Sequence, residues 1–228
     1  MNTEKPVIAV LGGTGKEGSG LAFRWAHAGF TVIVGSRAAE RSAAAAAELN
    51  RLLAGRATLT GLSNLDAARA AAVVVLAVPY AAQRATAMEV KDALEGKILI
   101  DVTVPLAPPR VDRVQLPEGG SAVVRLQHEL GAGVRVVSAF QNVSAAHLKD
   151  LDHRIDCDVL VCGDDADARE QAVQLAVAAG MVAWHAGALA NSAASEALTS
   201  VLIAINKRYK VPGSGIRITG VPRQDPDS

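Results

Sequence analysis

The 228-residue sequence predicts a doubly wound α/β fold, on three observations. Short β-branched runs alternate with alanine-rich segments, the pattern of βαβ units around a mostly parallel sheet. Two of those runs, 7–12 and 98–103, carry almost no polar residue, as strands covered on both faces do. A glycine-rich turn follows the first run directly and opens onto an amphipathic segment.

Strands are expected at 7–12 (VIAVLG), 31–36 (TVIVGS), 73–78 (VVVLAV), 98–103 (ILIDVT), 134–139 (VRVVSA), 158–163 (DVLVCG) and 182–186 (VAWHA). Helices are expected at 20–29 and 39–55, the second dominated by alanine, the strongest helix former. The stretch 102–120 is dense in Pro and Gly and reads as a long loop over the carboxyl edge of the sheet. The pattern changes after Phe140, which suggests a division into residues 1–143 and a smaller C-terminal α/β segment, 144–228. The last helix of that segment is expected to begin at Asn191 or Ser192 as N-cap. The tail PRQDPDS is too polar and proline-broken to order itself.

Lys plus Arg (23) equals Asp plus Glu (23), so no global field attracts nucleic acid or an anionic membrane. The N-terminal run MNTEKPVIAVLGG is too short and too lightly basic for a signal peptide, and the apolar run ALTSVLIAIN stops at KRYK. A soluble, cytoplasmic protein is expected. The two cysteines, Cys157 and Cys162, lie five apart on one expected strand and are read as structural thiols of a reducing compartment.

Gly13, Gly15 and Gly18 form GxGxxG between an apolar strand and a helix, the context a Rossmann-like dinucleotide site requires. Glycines let the backbone approach a pyrophosphate, and the helix N-terminus offers it free N–H groups and a positive dipole end. An NAD site would place Asp or Glu at the end of the second strand, where this chain has Ser36 and Arg37, with Arg41 one helical turn further. Their hydroxyl and guanidinium groups favour a 2′-phosphate, hence NADP(H). The alternative is a pair of solvated arginines at a helix start. Val78 to Gln83 follow the third expected strand at the switch point and can line the nicotinamide ribose; Tyr80 either does so or only packs.

The segments GGTGKEGSGLAFRWA, VGSR, LAVPY, VVSAFQNVSAAHL with DCDVLVCGDD, and HAGALANS followed by EALTSVLIAIN together resemble the NADPH-dependent reductases of coenzyme F420. The resemblance covers nearly the whole chain. It implies reversible hydride exchange between C4 of NADPH and C5 of an 8-hydroxy-5-deazaflavin, with no metal and no bound flavin. It implies that Gly13, Thr14, Gly15, Lys16 and Glu17 meet the pyrophosphate, Ser36, Arg37 and Arg41 the 2′-phosphate, and Ala146 the nicotinamide end. Arg41 stands where some members have Lys, and Gln141-Asn142 where others have His-Thr.

Hydride transfer between two planar rings asks chiefly for stacking in a dry cleft, so no catalytic acid or base is nominated. Hydrogen-bond donors should face the pyrimidine end of the deazaflavin, which becomes more negative as it is reduced. Gln141, Asn142, Ser144, Asn191 and Ser192 are candidates, though each is also an ordinary loop or cap residue. Lys207 and Arg208 can hold the coenzyme's anionic tail, or can simply complement the dipole at a helix C-terminus. The five histidines show no metal-ligand spacing, and the acidic run 164–170 reads as a helix start. Two other readings remain: an NADPH-dependent reductase of another acceptor (imine, flavin or chelated metal), and an NADPH-sensing protein. A sensor needs an exposed apolar patch on the final segment and a reductase a concave cleft beside the nicotinamide; the apolar face of 197–206 can serve either, or build a homodimer interface.

Overall fold

The most apolar runs of the sequence become the middle of one sheet. Strands β1 (Ile8–Leu11), β4 (Val73–Leu76) and β5 (Ile98–Asp101) are buried at every position. The structure, a computed structural model, describes residues 5–222; the tail expected to be disordered lies outside that range past Pro222. Five further strands complete the sheet: β2 (Val32–Ser36), β3 (Leu59–Ser63), β6 (Arg135–Ser138), β7 (Val159–Gly163) and β8 (Ala183–His185). Among the described residues the order is β3-β2-β1-β4-β5-β6-β7-β8.

From β3 to β6 every neighbouring pair is parallel. The chain winds one way from β1 through α1 (Lys16–His27), β2, α2 (Ala39–Leu53) and β3. After α3 (Asn64–Ala70) it returns to β4 and winds the other way through α4 (Tyr80–Glu89), α5 (Lys91–Leu94), β5 and α6 (Ala122–Leu130). The direction therefore reverses between β1 and β4, which opens a crevice at their carboxyl ends. β7 joins β6 antiparallel, pairing Val137 with Gly163 and Ser138 with Cys162, so residues 139–158 stay at the carboxyl edge. Helix α7 (Ala166–Ala178) leads to β8, and α8 (Ser192–Tyr209) closes the chain's regular structure.

Side chains alternate along each strand, so the sheet buries two layers. Ile8, Val10, Val34 and Val75 pack with Trp25, Val161 and Leu175 on one face; Ala9, Leu11, Val74 and Leu99 pack with Leu126 and Leu189 on the other. Trp25 joins α1 to α7: its Nε1 donates to Leu175 O at 2.7 Å and its ring meets Phe140 edge-on at 5.8 Å. Sheet and core thus run continuously across the expected division at 143/144. Both cysteines are buried free thiols.

One element departs from expectation. No strand was expected at 59–63, because LTGLS is short, polar and interrupted by glycine. The glycine is there for α2: a Cβ on Gly61 would strike the backbone of Ser42 and Ala43. Asn50 of α2 then ties the strand down, its side chain accepting from Leu59 N at 2.7 Å and donating to Leu59 O at 2.9 Å. The last helix begins as expected, at Ser192 with Asn191 in the N-cap position, and Asn191 makes no capping hydrogen bond with its side chain. Asn191 ends a 3₁₀ turn, Leu189–Asn191, and its amide turns back to donate to Ala186 O at 2.7 Å. Gly61→Ala should therefore pry β3 from α2 at a cost of about 1–3 kcal/mol, read as a lower denaturation midpoint with an unchanged m-value.

Candidate active site

The crevice at the switch point is built first from backbone. Gly12 follows β1 in the left-handed region (φ +77°), and its N–H donates to Gly35 O of β2 at 3.1 Å. A Cβ on Gly13 would stand 2.8 Å from Val10 O, and one on Gly18 would stand 2.9 Å from Gly12 O. The turn thus requires bare backbone at 12, 13 and 18, and it delivers the N-terminus of α1 to the crevice with Gly15 as its N-cap.

Two cavities flank this turn. The first, about 480 Å³, is lined by Gly12, Thr14 and Gly15, by Ser36, Arg37 and Arg41 at the end of β2, by Asn64, and by Ala77, Val78 and Pro79 after β4. Arg37 and Arg41 are exposed and Ser36 is buried. The Ser36 hydroxyl shapes the turn, donating to Ala38 O at 2.5 Å and accepting from Ala38 N at 3.2 Å. The second cavity, about 470 Å³, carries the first onward across Gly15, Ala77, Val78 and Pro79. It adds Lys16, Glu17 and Tyr80, the start of the long loop at 102–106, and Gln141 to Ala145. Its far wall is α8, through Thr199, Leu202, Ile203 and Asn206.

Beneath the second cavity lies a buried carboxylate. Asp101 accepts from Gln83 Nε2 at 2.5 Å and from Thr103 N at 2.8 Å, and its backbone carbonyl accepts from Gln141 Nε2 at 2.7 Å. Burial pushes its carboxyl up to about 6. Glu17, half-buried in the cavity wall, is pushed up to about 8 by burial and by the Asp101 charge. A carboxyl in the first turn of a helix would ordinarily be stabilised as the anion; here desolvation outweighs the dipole.

The remaining sequence-derived candidates divide. Tyr80 lines the second cavity, its hydroxyl accepting from Arg125 Nη2 at 2.9 Å. Gln83 does not line either cavity; it is buried against Asp101. Gln141 and Asn142 line the second cavity, but not as donors. Their NH₂ groups point inward, to Asp101 O and to Asp158 O (2.7 and 2.8 Å). Carbonyl partners accept only, so the orientation of both amides is fixed by chemistry. Ser144 lines the cavity and accepts from Ala146 N at 3.3 Å, while Ala146 is exposed beside it and Ala145 takes the lining position.

Asn191 and Ser192 are not in the lining. Ser192 is buried behind it, its hydroxyl 2.7 Å from that of Ser121, which donates to the buried Glu196 at 2.6 Å. Glu196 also accepts the N–H groups of Ala122 and Val123, and so fastens α8 to the start of α6. Lys207 is paired with Asp112 of the long loop at 2.8 Å, and Arg208 is exposed in the same last turn. The face of 197–206 was open to a cleft role, but sequence reasoning did not single out Thr199, Leu202, Ile203 and Asn206. Their 3–4-residue spacing, one inward helix face, was the available signal. The acidic run behaves as expected: Asp165 caps α7, accepting from Ala168 N at 2.7 Å.

A glycine turn, a helix N-terminus and an arginine pair at the switch point of a doubly wound sheet define a dinucleotide-binding oxidoreductase. Comparison with known proteins narrows the class. Residues 7–105 match the family model for coenzyme F420-dependent NADP oxidoreductases. The chain is 42% identical to the F420-dependent NADP reductase of Methanocaldococcus jannaschii, over 94% of this chain and 98% of that protein. A candidate F420-dependent NADP reductase from Arthrobacter sp. FB24 superposes with a TM-score of 0.78 at 26% identity, covering 94% of this chain and 99% of that one. Pyrroline carboxylate reductase of Plasmodium falciparum, solved with NADP bound, shares the fold at a TM-score of 0.53 and 14% identity, over 81% of this chain and 59% of that one. The chain belongs to the F420-dependent NADP oxidoreductase family.

The Glu17 carboxyl carries a pH signature. Its pKa is about 8 folded against 4.5 in the unfolded chain, so between those values the native state holds the extra proton. Its contribution to stability is complete below pH 4.5 and is lost as pH rises through 8. Glu17→Gln should melt like the wild type at pH 5 and several degrees higher at pH 8.5. Parallel melting curves at both pH values would contradict this.

Proposed function

We propose that the protein transfers a hydride reversibly between NADPH and the 5-deazaflavin coenzyme F420, with the dinucleotide spanning both cavities and the deazaflavin seated in the second. The observation that carries this reading is the continuity of the two cavities across Gly15, Ala77, Val78 and Pro79. One long ligand can run from Arg37 and Arg41 to the space beneath α8.

In this reading Gly13 to Lys16 meet the pyrophosphate, a fit supported by backbone that has no room for a Cβ at 13 and 18. Ser36 shapes the turn that presents Arg37 and Arg41 to a 2′-phosphate, whose charge and geometry suit two guanidinium groups. Bound NADPH supplies the hydride, from nicotinamide C4 to deazaflavin C5; the reduced deazaflavin gains one proton besides, at its pyrimidine end. Val78, Val102, Leu202 and Ile203 offer the apolar walls that hold two rings face to face and exclude water. Glu17, whose carboxyl burial shifts toward the neutral form, lines the same wall as Lys16, Tyr80 and Ser144, while the amides of Gln141 and Asn142 bond inward. Those two residues support the wall instead.

Residues 144–228 complete the cleft: Ser144, Ala145 and the inner face of α8 line it. Arg208 and the other cations at the end of α8 suit the coenzyme's anionic tail, with Lys207 shared with Asp112. We read the protein as a cytoplasmic homodimer. Two buried free thiols suit a reducing compartment, and Val201, Ile205 and Tyr209 form an exposed stripe on α8.

The test is spectrophotometric. NADPH with oxidised F420 should bleach the deazaflavin absorbance rapidly, and NADH only slowly; absence of bleaching with NADPH still bound would refute the acceptor. Arg37→Ala and Arg41→Ala should each raise KM for NADPH about ten- to a hundredfold, the range of a charge-assisted hydrogen bond, and leave KM for NADH unchanged.

A further inference from the structure

The loop between β6 and β7 holds a cluster that hydride transfer does not use. His147, Asp150 and His153 each offer one ligand atom within 4.8 Å of the others. The two imidazoles stack with centroids 3.9 Å apart and planes 19° from parallel. Spacing along the chain does not mark them as ligands; what gathers them is Arg24 of α1.

Arg24 is buried, and its single Nη2 donates to the backbone carbonyls of all three residues: His147 at 3.3 Å, Asp150 at 2.7 Å and His153 at 3.2 Å. Its Nε donates to Leu148 O at 2.9 Å and its Nη1 to Ala179 O at 3.2 Å. Three carbonyls drawn to one nitrogen curl the loop, and the side chains of the same three residues meet outside it. Asp150 is oriented as well: its Oδ1 accepts from the N–H groups of Asp152 and His153, both at 3.2 Å, which leaves Oδ2 to a further partner. Backbone and carboxylate are therefore set before any ligand arrives, as in built metal sites whose ligands are held from behind.

We propose that His147, Asp150 and His153 bind a late first-row divalent cation, zinc by preference, at a site separate from the hydride-transfer cleft. Two imidazole nitrogens and one carboxylate oxygen suit zinc, cobalt or nickel, where magnesium and calcium require oxygen. Donors about 2.0–2.1 Å from a tetrahedral zinc stand roughly 3.4 Å apart. Half-buried His147 and exposed Asp150 and His153 reach that spacing from 4.8 Å by side-chain rotation alone. Water completes the shell. The cation clamps the loop just past Ser144 and Ala145, and so stiffens one wall of the cleft without entering it.

The test uses untagged, full-length protein stripped with chelator and titrated with Co²⁺ as a visible probe, then with Zn²⁺ in competition. One equivalent should bind with ligand-field bands between about 500 and 650 nm, and zinc should displace it. His147→Ala and His153→Ala should each weaken binding at least a hundredfold and Asp150→Asn about tenfold, while His128→Ala and His185→Ala bind as the wild type does. NADPH oxidation by the variants verifies that they fold. Absence of stoichiometric binding at micromolar metal, or binding that survives the double His147→Ala, His153→Ala change, overturns the proposal.

Discussion

Four segments at the carboxyl edge of the sheet are tied to one buried carboxylate, Asp101. It ends β5, receives Gln83 from α4 and Thr103 from the long loop, and through its carbonyl receives Gln141 from the segment after β6. No cation is among these partners, so the charge is held by hydrogen bonds alone, and burial keeps its pKa near 6. Removing any one donor leaves a buried acceptor short of a partner, a cost of about 1–3 kcal/mol. The floor of the crevice is therefore rigid because its polar groups constrain one another.

The same electrostatics decides the behaviour of the crevice rim. Bare glycine backbone and the start of α1 make one side attractive to anions, and the carboxyl of Glu17 would oppose that attraction if it were ionised. Burial and the Asp101 charge raise its pKa to about 8, so near neutral pH the neutral form is favoured and opposes that attraction less. A second buried carboxyl, Glu196, is also raised by desolvation and is held by three hydrogen-bond donors at the start of α6. It fixes α8 where its inner face can roof the cavity.

Much of this was legible in the sequence. The glycine turn, the strands β1, β2 and β4 to β8, and the pair Arg37–Arg41 are local features, and local chemistry predicts them. What escaped was decided by distant neighbours. β3 is a strand because α2 packs on Gly61, 19 residues after Ser42 in the chain. Gln141 and Asn142 look like donors in a loop, yet carbonyls at 101 and 158 claim their NH₂ groups. Lys207 reads as an unpaired cation until folding sets it against Asp112, and Ser192 as a cap until Ser121 meets it. Each miss is a contact between residues far apart in sequence, which composition and periodicity do not encode.

The strip Gly15, Ala77, Val78 and Pro79 belongs to both cavities at once. A dinucleotide that spans both cavities lies along the whole strip and a deazaflavin in the second cavity meets it there, so a displacement that one imposes is felt by the other. Their affinities are then a single linked quantity. By thermodynamic reciprocity, whatever factor the first occupant applies to the binding of the second, the second returns to the first.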